Sequence, residues 1–304
     1  MAQEARTAVP VLAERGAERR RLPWYLELWV RLLREKPLGT VGLLIVVGLV
    51  LTAVFADGIA RSGPNDTDLA NARARPSWQH PFGTDQLGRD LFSRVVYGAR
   101  VSMYVGLGAV ALGVTMAVVL GTVSAYVGGL LDMVLQRIVD AWLSIPTLVF
   151  LLAMVSVLKP SLGTVIFSLA LLMTFSNSRV IRASVLAIMA MPYVEAARAL
   201  GAGHLRVVLR HILPNVVAPI IVIATLGLGS AILAEAALSF LGFGVPPPAP
   251  AWGGMLSGSA RQYIYLAPWL GVFPGLAIAL AVFGFNMLGD ALRDLLDPRL
   301  RRGH

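Results

Sequence analysis

The stretch EAARALGAGHLRVVLRHILPN, Glu195–Asn215, separates two long apolar runs of a 304-residue chain and is too short to be a domain. Pro192 suits the first turn of a helix, where its missing N–H costs nothing, and Tyr193 to Leu200 contain only residues compatible with a helix. Gly201 and Gly203 stop it, because glycine tolerates the left-handed conformation that ends helices. A second helix is expected over His204–Leu213, with Leu205, Val208, Leu209 and Ile212 spaced i, i+3, i+4, i+7, Arg206 and Arg210 on the other face, and Pro214 closing it. Ala196, Ala197, Ala199 and Gly201 then offer a surface of small residues that fits a cleft, with Glu195 and Arg198 placed to fix register. Periodicity alone leaves a second reading equally open, an amphipathic connector packed on its own spans.

The flanking runs decide the class. The chain is 57% hydrophobic and 14% charged, with a mean hydropathy of +0.72, against about 25% charged residues in ordinary soluble domains. An all-α polytopic membrane protein is the expected fold. The absence of cysteine excludes disulfides, thiolate metal sites and a cysteine nucleophile. A net charge of +9 does not point to nucleic acid, because most arginines sit in short segments beside apolar runs.

Six apolar stretches are each close to the roughly 20 residues that span a bilayer core. They are Leu38–Ile59, Val101–Val127, Ile138–Leu158, Leu162–Asn177, Val216–Phe240 and Leu266–Leu288. About 37 polar or amphipathic residues precede the first run, which exceeds the roughly 7–15 residues of a leader's apolar region, so it is expected to stay as an anchor. Met1–Leu22 reads as a flexible tail. In WYLELWVRLLREKP, Trp24, Leu28 and Leu32 form a stripe widened by Tyr25, Trp29 and Leu33, opposite Glu27, Arg31 and Glu35; a helix in the membrane interface fits this pattern, and a soluble partner-binding helix is the alternative. With the N-terminus inside, the inner segments hold 18 of the 26 Arg and Lys residues, which places both termini and the Glu195 insert in the cytoplasm.

The expected organisation is a tail and interfacial helix (1–37), a first span (38–60), an extracytoplasmic loop (61–100), a five-span core (101–290) containing a cytoplasmic loop (178–215), and a C-terminal tail (291–304). In HPFGTDQLGRDLFSRVVYGAR, His80–Arg100, a turn at Pro81, Gly83 and Thr84 should start an amphipathic helix with Leu87, Leu91 and Val95 in one row. Pro146 and Pro274 should kink the third and sixth spans. Glu235, about 29 Å along the fifth span at 1.5 Å per residue, is read either as a packed, hydrogen-bonded carboxylate or as a gate or substrate-path residue with Pro146 and Pro274. Arg137 and Asp140 form a local i,i+3 pair. Gly271 with Gly275, and Gly227, Gly229 and Ala231, are spaced for close helix contact with a second subunit. His204 and His211 have no metal-ligand constellation around them. The proline-stiffened loop GVPPPAPAWGG, Gly244–Gly254, reads as a contact for a docked protein or as a rigid connector.

The Glu195 stretch resembles the EAA loop of permease subunits of binding-protein-dependent ABC importers, in which E-A-A is followed by three residues, G, nine residues and I-x-L-P. Here these are Glu195-Ala196-Ala197, Gly201 and Leu213-Pro214, with His211 in place of the isoleucine and Ile212 beside it. His80–Arg100, EAALSFLGFGVPPPAPAWGGML from Glu235 and FNMLGDALRDLLDPR from Phe285 look like the dipeptide, oligopeptide and nickel branch. The resemblance implies a type I importer permease fold in a bacterial or archaeal cell membrane. It implies that Glu195, Ala196, Ala197, Arg198, Ala199, Leu200, Gly201, Leu213 and Pro214 form the coupling helix and its anchor, docked in an ATPase. It implies a second permease, two ATP-binding subunits carrying ATP and Mg, and an external substrate-binding protein that delivers a peptide, a nickel complex or a glutathione-like solute. No cofactor is expected on this chain. Its only lysines, Lys36 and Lys159, lie outside any Gly-Lys-Ser/Thr cradle, so no P-loop exists to hydrolyse ATP. A self-sufficient secondary transporter would want mid-span acids and inverted repeats, and a membrane hydrolase would pair a span His with Ser or an acid; neither pattern is present.

Overall fold

The computed structural model describes residues 24–257 and 262–296. The expected flexible tail, the side chains of Trp24–Trp29 and the chain after Leu296 lie outside the described residues. Every extended element described is a helix: α1 Trp24–Glu35, α2 Pro37–Val54, α3 Ala56–Ile59, α4 Leu91–Val127, α5 Gly129–Leu143, α6 Thr147–Leu158, α7 Leu162–Met189, α8 Pro192–Ala199, α9 His204–Phe240, α10 Trp252–Leu256 and α11 Trp269–Leu296. Five of them, α2, α4, α7, α9 and α11, are long and apolar enough to cross a membrane singly. The third expected span is instead a pair, α5 and α6, bent by 91° across the break Ser144–Pro146. Pro146 therefore ends one helix and begins another rather than kinking a single rod: its ring forces the residue before it out of the helical region, and its own backbone is extended (φ −56°, ψ 131°). Pro274 behaves differently. It lies within the unbroken helix α11, five residues after its first residue.

Two other expected boundaries move. The fourth span runs on from Asn177 to Met189, carrying Arg179 and Arg182 on a continuous helix. Helix α4 starts at Leu91, not at Thr84, because the residues before it satisfy their backbone locally. The Asp85 carboxylate accepts from Leu87 N (2.8 Å) and Arg89 N (3.0 Å), and Asp90 caps α4 by accepting from Ser93 N at 2.8 Å. Leu87 thus belongs to a turn and not to the expected helical row.

Helices α4 and α7 pack along most of their lengths, with Val105, Ala109, Val110, Val114, Val165 and Leu169 in one core and Phe150, Leu151 and Val155 of α6 against it. A second core joins α4 and α11 to the loop after α9, through Met103, Ile232, Trp252, Leu270 and Phe285. Trp252 donates Nε1–H to Val95 O at 2.9 Å, so the end of the proline-rich loop is folded inward, while Pro246, Pro247 and Pro248 remain exposed. Of the small residues expected to face a second subunit, Gly227, Gly229, Ala231 and Gly271 pack inside this chain instead, while a Cβ at Gly275 would meet nothing within 4 Å. A Cβ at Gly227 would lie 2.5 Å from Met173 Cε, and one at Gly229 would lie 3.1 Å from Asn286 Oδ1. Gly271 faces Ile264, and Ala231 is buried.

At the end of the bundle that carries the Glu195 insert, α1 lays Leu32 on Ala291 and Leu295 of α11, and Lys36 Nζ meets Asp294 Oδ2 at 2.6 Å. Just above, α2 crosses α11 at Gly42, where a Cβ would sit 2.8 Å from Gly284 O and 2.8 Å from Leu288 N. Both obstructing atoms are backbone, so neither can swing away. Gly42→Val should therefore cost about 1–3 kcal/mol through overpacking and lower the thermal midpoint of the purified protein in detergent. Gly48→Val, where a Cβ meets nothing within 4 Å, should leave it unchanged apart from helix propensity.

Candidate functional site

The insert is an elbow between the end of α7 and the start of α9. Pro192 opens α8 as expected, and the helix closes in a Schellman arrangement: Ala202 N donates to Ala197 O at 3.1 Å and Gly201 N to Arg198 O at 2.9 Å. That closure needs a left-handed residue, which Gly201 supplies at φ +79°. The second arm does not end at Pro214. A π turn over Val208–Ile212, in which Leu213 N reaches back to Val208 O, carries the helix through Pro214 into the fifth span without interruption. Asn215 Nδ2 donates to His211 O at 2.7 Å and satisfies a carbonyl of the widened turn. The elbow therefore has no loop between it and the span that follows.

Its two faces differ. Val194, Val207, Ile212 and Val216 are buried with Ile181 and Val185 of α7 and Ala125 of α4, and they fix the elbow on the bundle. Glu195, Ala196, Arg198, Ala199 and Gly201 are exposed, and Ala197 is half-buried. Leu205 and Leu209, expected on the packed face, are 71% and 53% exposed, and Leu200 is 89% exposed. Val207 takes the packed face with Ile212 instead, and Leu205 and Leu209, two residues to either side of Val207, face away from it. Together with Tyr193 they make an uncovered apolar patch beside the small residues of α8, the kind of surface that marks a protein contact.

A further contact comes from the last turn of α4. Tyr126 Oη and His204 Nδ1 are 2.9 Å apart, and the Arg198 guanidinium lies 5.3 Å from the centre of the Tyr126 ring. Tyr126 thus touches both arms of the elbow. Sequence spacing could not have found it, because its partners lie more than 70 residues away.

The remaining candidates do not join this site. Glu235 is fully buried near the opposite end of α9; its Oε1 accepts from Ser239 Oγ at 2.6 Å, and its Oε2 has no hydrogen-bond partner among the described residues. Pro274 is buried, and Pro146 is exposed at the corner. Arg137 pairs with Asp140 at 3.3 Å as expected, and Arg179 of α7 also reaches Asp140. Among the described residues no group of three His, Asp or Glu could hold a metal ion.

The comparisons agree with this architecture. Residues 109–302 match the family model described as binding-protein-dependent transport system inner membrane component, and residues 24–76 match the N-terminal TM domain of oligopeptide transport permease C. The chain is 44% identical over 269 residues to the dipeptide transport system permease protein DppC of Alkalihalophilus pseudofirmus, covering 88% of each chain. It is 40% identical over 271 residues to a putative peptide transport system permease protein of Brucella suis, covering 89% of this chain and 90% of the relative. It is 39% identical over 300 residues to the glutathione transport system permease protein GsiD of Escherichia coli, covering 98% and 97%. A solved structure of the MetNI methionine ABC transporter in an inward-facing conformation superposes with a TM-score of 0.56 at 18% identity, covering 67% of this chain and 96% of that one. It shows the same fold.

The contacts of Tyr126 are separable. Tyr126→Phe removes the hydrogen bond to His204 and keeps the ring under Arg198, whereas Tyr126→Ala removes both. Limited proteolysis of the elbow should be accelerated slightly by the first, consistent with an exposed hydrogen bond contributing at most about 1 kcal/mol, and clearly more by the second. Equal protection in all three proteins would remove Tyr126 from the elbow's support.

Proposed function

The chain belongs to the inner-membrane components of binding-protein-dependent transport systems, in the branch of dipeptide and oligopeptide ABC permeases, and from that membership we propose that its elbow is the handle by which cytoplasmic ATPases drive import of short peptides. The observation that carries the proposal is an exposed, capped helix set between two membrane-crossing helices, two residues after α7 and with its second arm continuous with α9. Glu195 to Gly201 form the inserted part. Leu213 and Pro214 carry the second arm into the fifth span.

The chain has no P-loop, so the energy comes from two ATP-binding subunits holding ATP and Mg. A second permease completes the passage, and an external binding protein delivers the solute. Nucleotide-driven closure of the ATPases pulls the elbows of the two permeases together and exchanges an inward-open passage for an outward-open one. Moving such an equilibrium from 1:99 to 99:1 takes about 5.5 kcal/mol of differential binding. A capped helix packed on its own bundle can deliver that work, where a flexible loop would absorb it. Both termini lie on the cytoplasmic side, as the distribution of Arg and Lys supports.

A short peptide is the substrate class that the relatives' names share, since glutathione is itself a tripeptide. Selection rests mainly on the binding protein. Within this chain the exposed prolines of the Gly244–Gly254 loop are the proposed contact for it, held in place by the buried Trp252.

Gly201→Pro removes the N–H that bonds Arg198 O and forces φ from +79° to about −65°. Ala197→Glu puts a charge on the small-residue face. In proteoliposomes containing the whole transporter, both variants should insert normally and lose ATP-driven uptake of a radiolabelled dipeptide by at least about tenfold, equivalent to about 1.4 kcal/mol of lost coupling. Wild-type uptake rates in both would refute the handle.

A further inference from the structure

Helix α5 has little of its own to hold it. Val139 alone among its residues is buried, yet it ends at the 91° bend before α6, where every residue from Leu143 to Val149 is exposed. Its position is set from α7. The Asp132 carboxylate receives both Nε (2.7 Å) and Nη2 of Arg182, a two-pronged contact that fixes orientation as well as distance. Ser124 of α4 donates to the same carboxylate, and Gln136 Nε2 in turn donates to Ser124 Oγ at 3.0 Å. Eight residues along α5, about 12 Å at 1.5 Å per residue, Asp140 is held by Arg179. At the end of α5 the Trp142 ring lies 4.4 Å from that of Phe175 on α7 and 4.8 Å from that of Phe150 on α6. A single attachment would leave a pivot. Three, at Arg182, Arg179 and Phe175, fix position and direction together.

The arginines sit on a helix with a second role. Helix α7 runs unbroken from Leu162 past Arg179 and Arg182 to Met189, and only Ala190 and Met191 separate it from the proline that opens the exposed arm of the elbow. We propose that Arg179 and Arg182 are positioning residues that make α5, and with it the Ser144–Pro146 corner, travel with the elbow, so that the corner is the part of the passage moved by the ATPase stroke. This rests on the reading of the elbow as the point where force enters. The ion pairs persist through the cycle and act as a clamp; they do not open as a gate. The asymmetry of the two pairs agrees with this role: Asp132 and Arg182 are the more covered, at 18% and 29% side-chain exposure, and anchor the end near the elbow. Asp140 and Arg179, at 46% and 44%, steady the end near the corner.

The chain has no cysteine, so spin labels can be placed at will in the assembled transporter once partner cysteines are replaced. One pair, Leu143→Cys with Val272→Cys, reports the corner against α11. A second, Arg210→Cys with Val272→Cys, reports the elbow against the same reference from outside the apolar patch. Distances are read by pulsed electron paramagnetic resonance, without nucleotide and after trapping with Mg-ATP and vanadate. In the parent complex both distances should shift by more than about 2 Å, the scale of helix shifts in switching proteins. In Arg179→Gln/Arg182→Gln the elbow shift should remain and the corner shift should vanish. The exchange Asp132→Arg/Arg182→Asp, which keeps a pair with its charges reversed, should retain the corner shift. If the glutamine double variant does not assemble, Asp140→Asn/Arg179→Gln at the more exposed pair should reduce the corner shift in the same way. A corner shift undiminished in the variants, or absent from a parent whose elbow moves, overturns the clamp. An elbow that stays still in the parent overturns the coupling reading instead.

Discussion

The interior of a bilayer offers no water to backbone N–H and C=O groups, so each must find its partner within the chain. That constraint accounts for the long helices here and for where the irregular backbone falls. Helices α4, α7, α9 and α11 run for 28 to 37 residues without a break. Among the described residues, turns of extended backbone are confined to the two ends of the bundle and to the corner at Ser144–Pro146. Even Pro214, which cannot donate a backbone hydrogen bond, is passed by widening the turn before it and recruiting the Asn215 side chain. A mechanical consequence follows. Displacement applied at the elbow enters two continuous rods, because the chain places no flexible segment between the elbow and either neighbouring span except the two residues before Pro192.

The sequence made some of this legible and hid the rest for reasons that differ by residue. Composition and run length were sufficient for the membrane class, since a span is a local property of about 20 residues. The end of α8 was legible because capping chemistry is local: Gly201 was expected to stop the helix, and its positive φ is what the closure uses. Prolines were less readable. Pro146 and Pro274 looked alike, yet one breaks the chain by 91° and the other lies inside a continuous helix. The difference lies in what surrounds them, since Pro274 is buried in the bundle while the corner at Pro146 is uncovered.

Long-range pairs were not readable at all. Asp132 and Arg182 are 50 positions apart, and only the antiparallel packing of α5 on α7 brings them together. Glycine spacing also misled. Gly227 and Gly229 do mark a close approach, but to Met173 and Asn286 of the same chain rather than to another subunit. A spacing rule identifies a surface that can be approached closely; it carries no information about which helix arrives.

The proposed use of the elbow as a handle depends on a comparison of strengths. The Schellman closure and the Tyr126 contacts each contribute on the order of 1 kcal/mol at exposed positions, which is small against the roughly 5.5 kcal/mol of a full switch. Taken alone they would yield before the spans moved. Val194, Val207 and Ile212 are each fully buried, and burial of such side chains contributes about 1.5–3 kcal/mol apiece as an upper bound. Their sum is comparable to the work required. The apolar seam therefore resists peeling of the elbow from the bundle, and the polar contacts set its orientation. This division explains why the exposed face can consist of alanine, glycine and leucine: none of those residues is needed to hold the elbow on, so all of them are free to meet a partner.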